Sequence, residues 1–435
     1  MKYAFDEIIE RRGTGCVKWD AEPPSNAGPV RLGSASAQRD IIPLWVADMD
    51  FAVAPAIQEA IRRRAEHPVF GYTHVQDDYY EAVISWFQRR HQWHIRREWM
   101  LYTTGVVPAM SVAIKALTMP GEQVVILSPD YNCFFSSVKN NGCQVLETSL
   151  IRGHEGTGAR GLENSLEAES NFVPPHLRTT VPPTFSIDWE DFEARCSEEK
   201  TTVFLLCNPH NPTGRVWTRE ELQRMADICH RHQVRIVSDE IHCELVMPGH
   251  TFVPMGTVDP DAVILNSPSK SFNIAGLMMA NIICRDAATR RRLDRAININ
   301  EVCDVNSFAP EAVKAAYNDS EDWIDALNLY LWDNYTVLCD FVAKFLPHWQ
   351  VMPLEGTYLA WVDVSAALST DSKGGETVAA YCDRLLQATG VWLNPGTMYG
   401  PQSGEDYLRI NLACPRSLLQ EALYRLSTLN NNTQL

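Results

Sequence analysis

Between residues 54 and 300, short apolar runs alternate with stretches of helical periodicity, and that alternation leaves few folds open to the chain. EQVVILS (122–128), TTVFLLC (201–207), VRIVSD (234–239) and AVILNS (262–267) are continuous apolar runs of strand length. Runs without polar alternation suit strands covered on both faces, as in a parallel sheet with helical crossovers. One crossover can be read directly. In TREELQRMADICHRHQ, Leu222, Met225, Ala226 and Cys229 share one helical stripe, with Thr218 as cap and Glu221 three residues later. The expected fold class is therefore α/β, with a large domain over residues 54–300 built on a mainly parallel sheet flanked by helices.

Past residue 300 the pattern changes. Residues 321–346 form one long amphipathic pattern, TYLAWVDV (357–364) and YLRINLAC (407–414) are strand-like, and a closing helix starts near Arg416. A chain of 435 residues exceeds what one small core serves. Residues 1–53 and 301–435 are expected to form a second, smaller α+β domain. Residues 151–184 carry four glycines and two proline pairs with little periodicity, and read as a loop insertion or a lid over a substrate entrance.

With 38 basic against 54 acidic residues the net charge is −16, which repels polyanions, so no nucleic-acid partner is expected. The N-terminus lacks an apolar signal region, and no window approaches 18 uninterrupted apolar residues. No membrane partner is expected, and the expected location is the cytoplasm. The twelve cysteines show no metal-binding or redox spacing and read as reduced, mostly buried thiols.

In open α/β sheets the ligand crevice lies at the carboxyl ends of the strands, and several reactive residues fall there. SPSKSFNIAG places Lys270 among Ser267, Ser269 and Ser271, directly after AVILNS. NPHNPTG (208–214) is a stiff turn presenting Asn211, and SDEIHCEL puts Asp239 at a strand end with His242 three residues on. Those carboxylates lack a second histidine at helical spacing, so no metal is expected. A phosphate could rest on the Ser267 and Ser269 hydroxyls and on the amides of Gly105, Val106 and Val107, where TTGVVPAM opens a helix with Pro108 in its first turn. A lysine beside a phosphate-bearing aldehyde, with an aspartate aimed at a ring nitrogen, is what pyridoxal 5'-phosphate requires.

The order GVV, NPHNPTG, SDEIH, SPSKSF, YLRIN resembles the fold-type I, aspartate-aminotransferase-like pyridoxal phosphate enzymes over roughly residues 40–430. Within that superfamily, PLWVADMDF (43–51), FGYTHV (70–75), DEIH, NPGTMYG (394–400) and LRINLACPR (408–416) resemble the cystathionine β-lyase branch of MalY/PatB type. The resemblance implies that Lys270 holds the cofactor aldehyde as an imine and shuttles the substrate Cα proton. It implies that Asp239 pairs with the ring nitrogen, Asn211 and His242 bond the phenolic oxygen, and Tyr131 stacks on the ring. Arg409 would clamp the α-carboxylate of an amino-acid substrate, and Asp48 would border that substrate. Tyr72 would reach the phosphate of a neighbouring subunit, making a homodimer. The implied reaction is carbon–sulfur β-elimination from a cysteine S-conjugate, giving thiol, pyruvate and ammonia. Similar enzymes take cystathionine, cysteine conjugates of odorants or xenobiotics and, in fungal secondary-metabolite clusters, bis-cysteine adducts. An aminotransferase would use the same lysine, aspartate, asparagine and arginine. A regulatory or binding role on the same scaffold is the alternative of another class.

Overall fold

The structure, a computed structural model, describes residues 2–23, 41–153, 184–368 and 375–431. Its strands are β1 (Ile42–Pro43), β2 (Met100–Thr103), β3 (Gln123–Ser128), β4 (Gln144–Arg152), β5 (Phe185–Ile187), β6 (Thr201–Cys207) and β7 (Arg235–Asp239). There follow β8 (Val263–Asn266), β9 (Ala280–Ile283), β10 (Gln350–Val351), β11 (Leu359–Asp363), β12 (Val391–Trp392), β13 (Asn394–Pro395) and β14 (Tyr407–Asn411). An eight-stranded sheet runs in the order β2-β9-β8-β7-β6-β3-β4-β5. The inner strands β8, β7, β6, β3 and β4 are parallel, as their unbroken apolar runs predict. β9 runs antiparallel to both β2 and β8, and β5 antiparallel to β4.

Each central strand divides its side chains between two cores. Val125, Leu127, Phe204, Leu206 and Ile236 enter one, while Val124, Ile126, Val203, Leu205 and Val237 enter the other. This is the two-residue alternation of a pleated strand, hidden in sequence because both faces are apolar. The crossover helix Arg219–Arg231 carries the expected reciprocal cap: Thr218 Oγ1 accepts from the Glu221 N–H at 3.2 Å and Glu221 Oε2 from the Thr218 N–H at 2.9 Å. Its stripe residues Leu222, Met225, Ala226 and Cys229 lie in the first core.

A four-stranded antiparallel sheet, β10-β11-β14-β13, stands beside the long helix Glu321–Phe345 and the closing helix from Arg416. β1 pairs with β12, which stitches the N-terminal segment to the C-terminal part. The helix Ala309–Asp319 packs instead on the helices Pro55–Glu66 and Asp77–His91. One apolar core runs from the large sheet into the small one, through Phe204, Trp217, Leu354 and Trp361. Of the 151–184 insertion, residues 154–183 lie outside the described residues. Its ends belong to the sheet: Ile151 and Arg152 close β4, and the Gly153 N–H donates to Thr184 O at 2.9 Å.

Candidate active site

The carboxyl ends of β6, β7 and β8 and the start of the helix Val106–Leu117 enclose a cavity of about 230 Å³. Gly105, Val106, Val107, Tyr131, Asn211, Asp239, His242, Ser269 and Lys270 all line it. Strand register accounts for part of this gathering. Cys207, the last residue of β6, is level with Asp239, the last of β7, and Asp239 is level with Leu265 of β8. The loops that follow these ends must therefore turn over the same edge, carrying Asn211, His242 and Lys270 with them.

One end of the cavity suits an anion. The first bond inside the helix runs from the Ala109 N–H to Gly105 O at 2.9 Å, and Pro108 has no N–H. The amides of Gly105, Val106 and Val107 thus open outward at the positive end of the helix dipole. Ser269 also lines the cavity. Ser267 does not line the cavity: its hydroxyl donates to Met279 O at 2.7 Å and accepts from the Ser269 N–H at 3.1 Å. In the structure it bonds within its own loop rather than forming cavity wall.

The other groups are tuned by burial. The Lys270 Nζ donates to Ala47 O at 2.6 Å. Burial, seconded by the Arg409 guanidinium, pulls its amine down to about 8, against the opposing pull of Asp48 and Asp239. Burial lifts the Asp239 carboxyl to about 7, although it accepts from the Ile241 N–H at 3.1 Å and feels Lys270. A cation brought against Asp239 would restore its charge. Burial, together with Lys270 and Arg409, drives His242 down to about 3, so its imidazole is neutral, and its buried Nδ1 has no partner.

Arg409, on β14, reaches across from the small sheet. Its Nη1 donates to Asn211 Oδ1 at 3.0 Å and its Nη2 to Trp45 O at 2.9 Å, while the buried Nε has no partner. Because the Asn211 oxygen is engaged, its NH₂ is the end left to donate into the cavity. Tyr131 caps the helix Asn132–Asn140 and turns its half-buried ring to the cavity.

Two expected residues lie elsewhere. The Asp48 side chain does not line the cavity; it pairs with Arg11 Nη2 at 2.8 Å and lies 3.6 Å from Lys18 Nζ. Tyr72 is fully exposed at 104% and belongs to a separate surface groove with Arg64, His74 and Lys314. Sequence reading also missed contributors. Ala47 offers only a carbonyl, Met278 and Met279 only apolar wall, and Tyr358 donates to Ala47 O at 2.9 Å from inside an otherwise apolar strand pattern. Backbone carbonyls carry no signature in residue type.

An open helix end for phosphate, an aromatic face, a lysine of lowered basicity, and a buried carboxyl short of a cation fit pyridoxal phosphate part by part. The comparisons agree. The model of the aminotransferase class I and II family matches residues 39–426. The cystathionine beta-lyase PatB of Bacillus subtilis is 36% identical over 426 residues, covering 97% of this chain and 98% of that protein. Protein MalY of Escherichia coli is 32% identical, covering 97% of each chain. The PLP-bound C-S lyase of Staphylococcus hominis superposes with a TM-score of 0.80 at 29% identity, covering 98% of each chain. The chain belongs to the aminotransferase class I and II family, in its cystathionine β-lyase-like branch.

Proposed function

We propose that this chain is a pyridoxal-phosphate-dependent C–S β-lyase that splits a cysteine S-conjugate into a thiol, pyruvate and ammonia. The observation that carries the reading is the meeting of Lys270, Asp239 and the open amides of Gly105–Val107 in one cavity. Likeness to cystathionine β-lyases favours elimination over amino transfer.

When bound, pyridoxal phosphate supplies an electron-withdrawing ring that takes up the charge left as the substrate Cα proton departs. The chain's residues supply the rest. Lys270, with its amine pulled to about 8, is neutral often enough near neutrality to take that proton. Asp239 would hold a proton on the ring nitrogen, and Asn211, through its NH₂, and His242 would bond the phenolic oxygen. Arg409 has used two of its five N–H groups, leaving Nε–H and one on each terminal nitrogen for the substrate carboxylate. A thiolate leaves readily from the β-carbon because its parent thiol is acidic, at about 8.5.

The proposal extends to a homodimer in which the exposed Tyr72 serves the neighbouring site, and to a cytoplasmic location. Nine of the twelve cysteines are buried and all twelve are unpaired, which supports a reducing compartment. Among the described residues no helix is long and apolar enough to cross a membrane. The S-substituent extends from cystathionine to bulkier conjugates, including bis-cysteine adducts of fungal pathways. The test is to supply cystathionine without any keto-acid acceptor. Pyruvate, ammonia and thiol in equal amounts are expected; pyridoxamine phosphate without pyruvate would make the chain an aminotransferase.

A further inference from the structure

Residues 45–50, in the stretch WVADMD, form a strap over the cavity, and their carbonyls sort by direction. Trp45 O accepts from Arg409 Nη2 at 2.9 Å, and Ala47 O accepts from Lys270 Nζ at 2.6 Å and from the Tyr358 hydroxyl at 2.9 Å. The intervening carbonyls of Val46 and Asp48 both turn to Asn411 Nδ2, at 2.5 and 2.6 Å. One short run of backbone therefore touches both the amine and the guanidinium of the site.

The strap is held from outside by charge. Asp50 is 4% exposed and accepts from three groups: Arg11 Nη1 at 2.6 Å, Trp19 Nε1 at 2.8 Å and Lys18 Nζ at 2.7 Å. Arg11 also donates to Asp48 Oδ2 at 2.8 Å and to Met49 O at 3.0 Å. The Lys18 side chain is 0% exposed. A wholly buried ammonium is costly unless paired, and among the described residues this one pairs with the strap alone. Nothing in the cavity chemistry uses it.

We infer that Lys18 and Arg11 are positioning residues: by neutralising Asp50 and Asp48 they fix the strap so that the Ala47 and Trp45 carbonyls meet Lys270 and Arg409. The inference rests on the reading of Lys270 and Arg409 as the working groups of the site. The segment around Arg11 and Lys18 is then part of the active-site architecture, although neither side chain lines the cavity.

On the free amine, an accepting carbonyl favours the protonated nitrogen, so displacing Ala47 O pulls Lys270 toward lower pH, whereas Asp48 freed of its paired cation pulls it toward higher pH. The charged and titratable groups facing Lys270 are Arg409, Asp48, Asp239 and Cys133, with His242 near enough to feel it. The variants replace none of these residues, but they leave Asp48 less fully paired.

The test uses holoenzyme of Lys18→Met, Arg11→Met and Arg11→Lys. For Lys18→Met, kcat should fall about 10²-fold, the scale of a misplacement near 1 Å, with a smaller change in KM. The pH midpoint of the visible absorption of the bound cofactor should move away from the wild-type value, a readout that needs no turnover. Arg11→Met should behave alike but less severely, and Arg11→Lys should recover most of the loss. A folded Lys18→Met protein with wild-type kcat and midpoint would overturn the inference. If Lys18→Met does not fold, the half-exposed Arg11 pair decides: equal rates and an unmoved midpoint in both would overturn it as well. Should the wild type fail to release pyruvate, the lyase reading falls, while the midpoint comparison still judges the strap.

Discussion

Asp239 and Glu244 lie five residues apart in SDEIHCEL, at 5% and 4% exposure, yet their acidities diverge. Burial lifts Asp239 to about 7, with one backbone amide and a lysine set against it. Burial pushes Glu244 up as well, but His91, Trp86 and Arg90 outweigh it and hold the carboxyl below its ordinary value. His91 Nε2 lies 2.7 Å from Glu244 Oε1, and Trp86 Nε1 donates to the same oxygen at 2.6 Å. Equal burial thus produces opposite outcomes according to partners. Glu244 is a charge-paired brace between the helix Asp77–His91 and the loop after β7. Asp239 is left costly by its own chain, as groups reserved for chemistry are.

The sharpest way to break this contrast is Lys270→Ala, which removes the cavity's base and should cost about 10⁴-fold in kcat/KM, measured as pyruvate release. Asp239→Asn should come next, with about 10²–10³-fold lost from kcat as a fixed charge disappears. The same change should stabilise cofactor-free protein. Asp239 titrates near 7 when folded against an ordinary 3.8, so its contribution is complete below the lower value and is lost as pH rises through the upper. The asparagine removes that loss, on the order of 4 kcal/mol at most, and melting temperatures at about pH 5 and about pH 8 should diverge between the two proteins.

Arg409→Lys keeps the charge but not the fork, and should lower kcat/KM about 10²-fold, mainly through KM, in initial-rate measurements. Glu244→Gln should have the smallest kinetic effect and the opposite stability effect: about 3 kcal/mol lost in denaturant unfolding near neutral pH, with kcat nearly unchanged. Because the Glu244 carboxyl is held low, that contribution exists above its ordinary value and disappears as pH falls through the folded one. A Glu244 variant as inactive as the Asp239 variant would erase the distinction.

The parallel strands and the crossover helix were legible because burial on both faces demands uninterrupted apolar runs and because Thr218 and Glu221 form a local cap. β9 was not, since a run as short as ANII, three apolar residues and one asparagine, does not reveal direction, and it runs against its neighbours. Lys270, Asp239, Asn211 and His242 could be picked out because they follow strand ends. The directions of the Ser267 and Asp48 side chains were not legible, because a side chain's direction within a loop depends on the partner it finds, here the acceptor Met279 O and the donor Arg11.

Residue order alone was enough for the sheet's composition and for which reactive side chains lie at one edge, since periodicity and strand length are local properties. Folding in three dimensions settled how those groups are charged and held. Arg409 meets Asn211 across 198 residues, and Ala47 meets Lys270 across 223. Electrostatic shifts arise from such distant neighbours and from exclusion of water, neither of which is a property of any short stretch of chain.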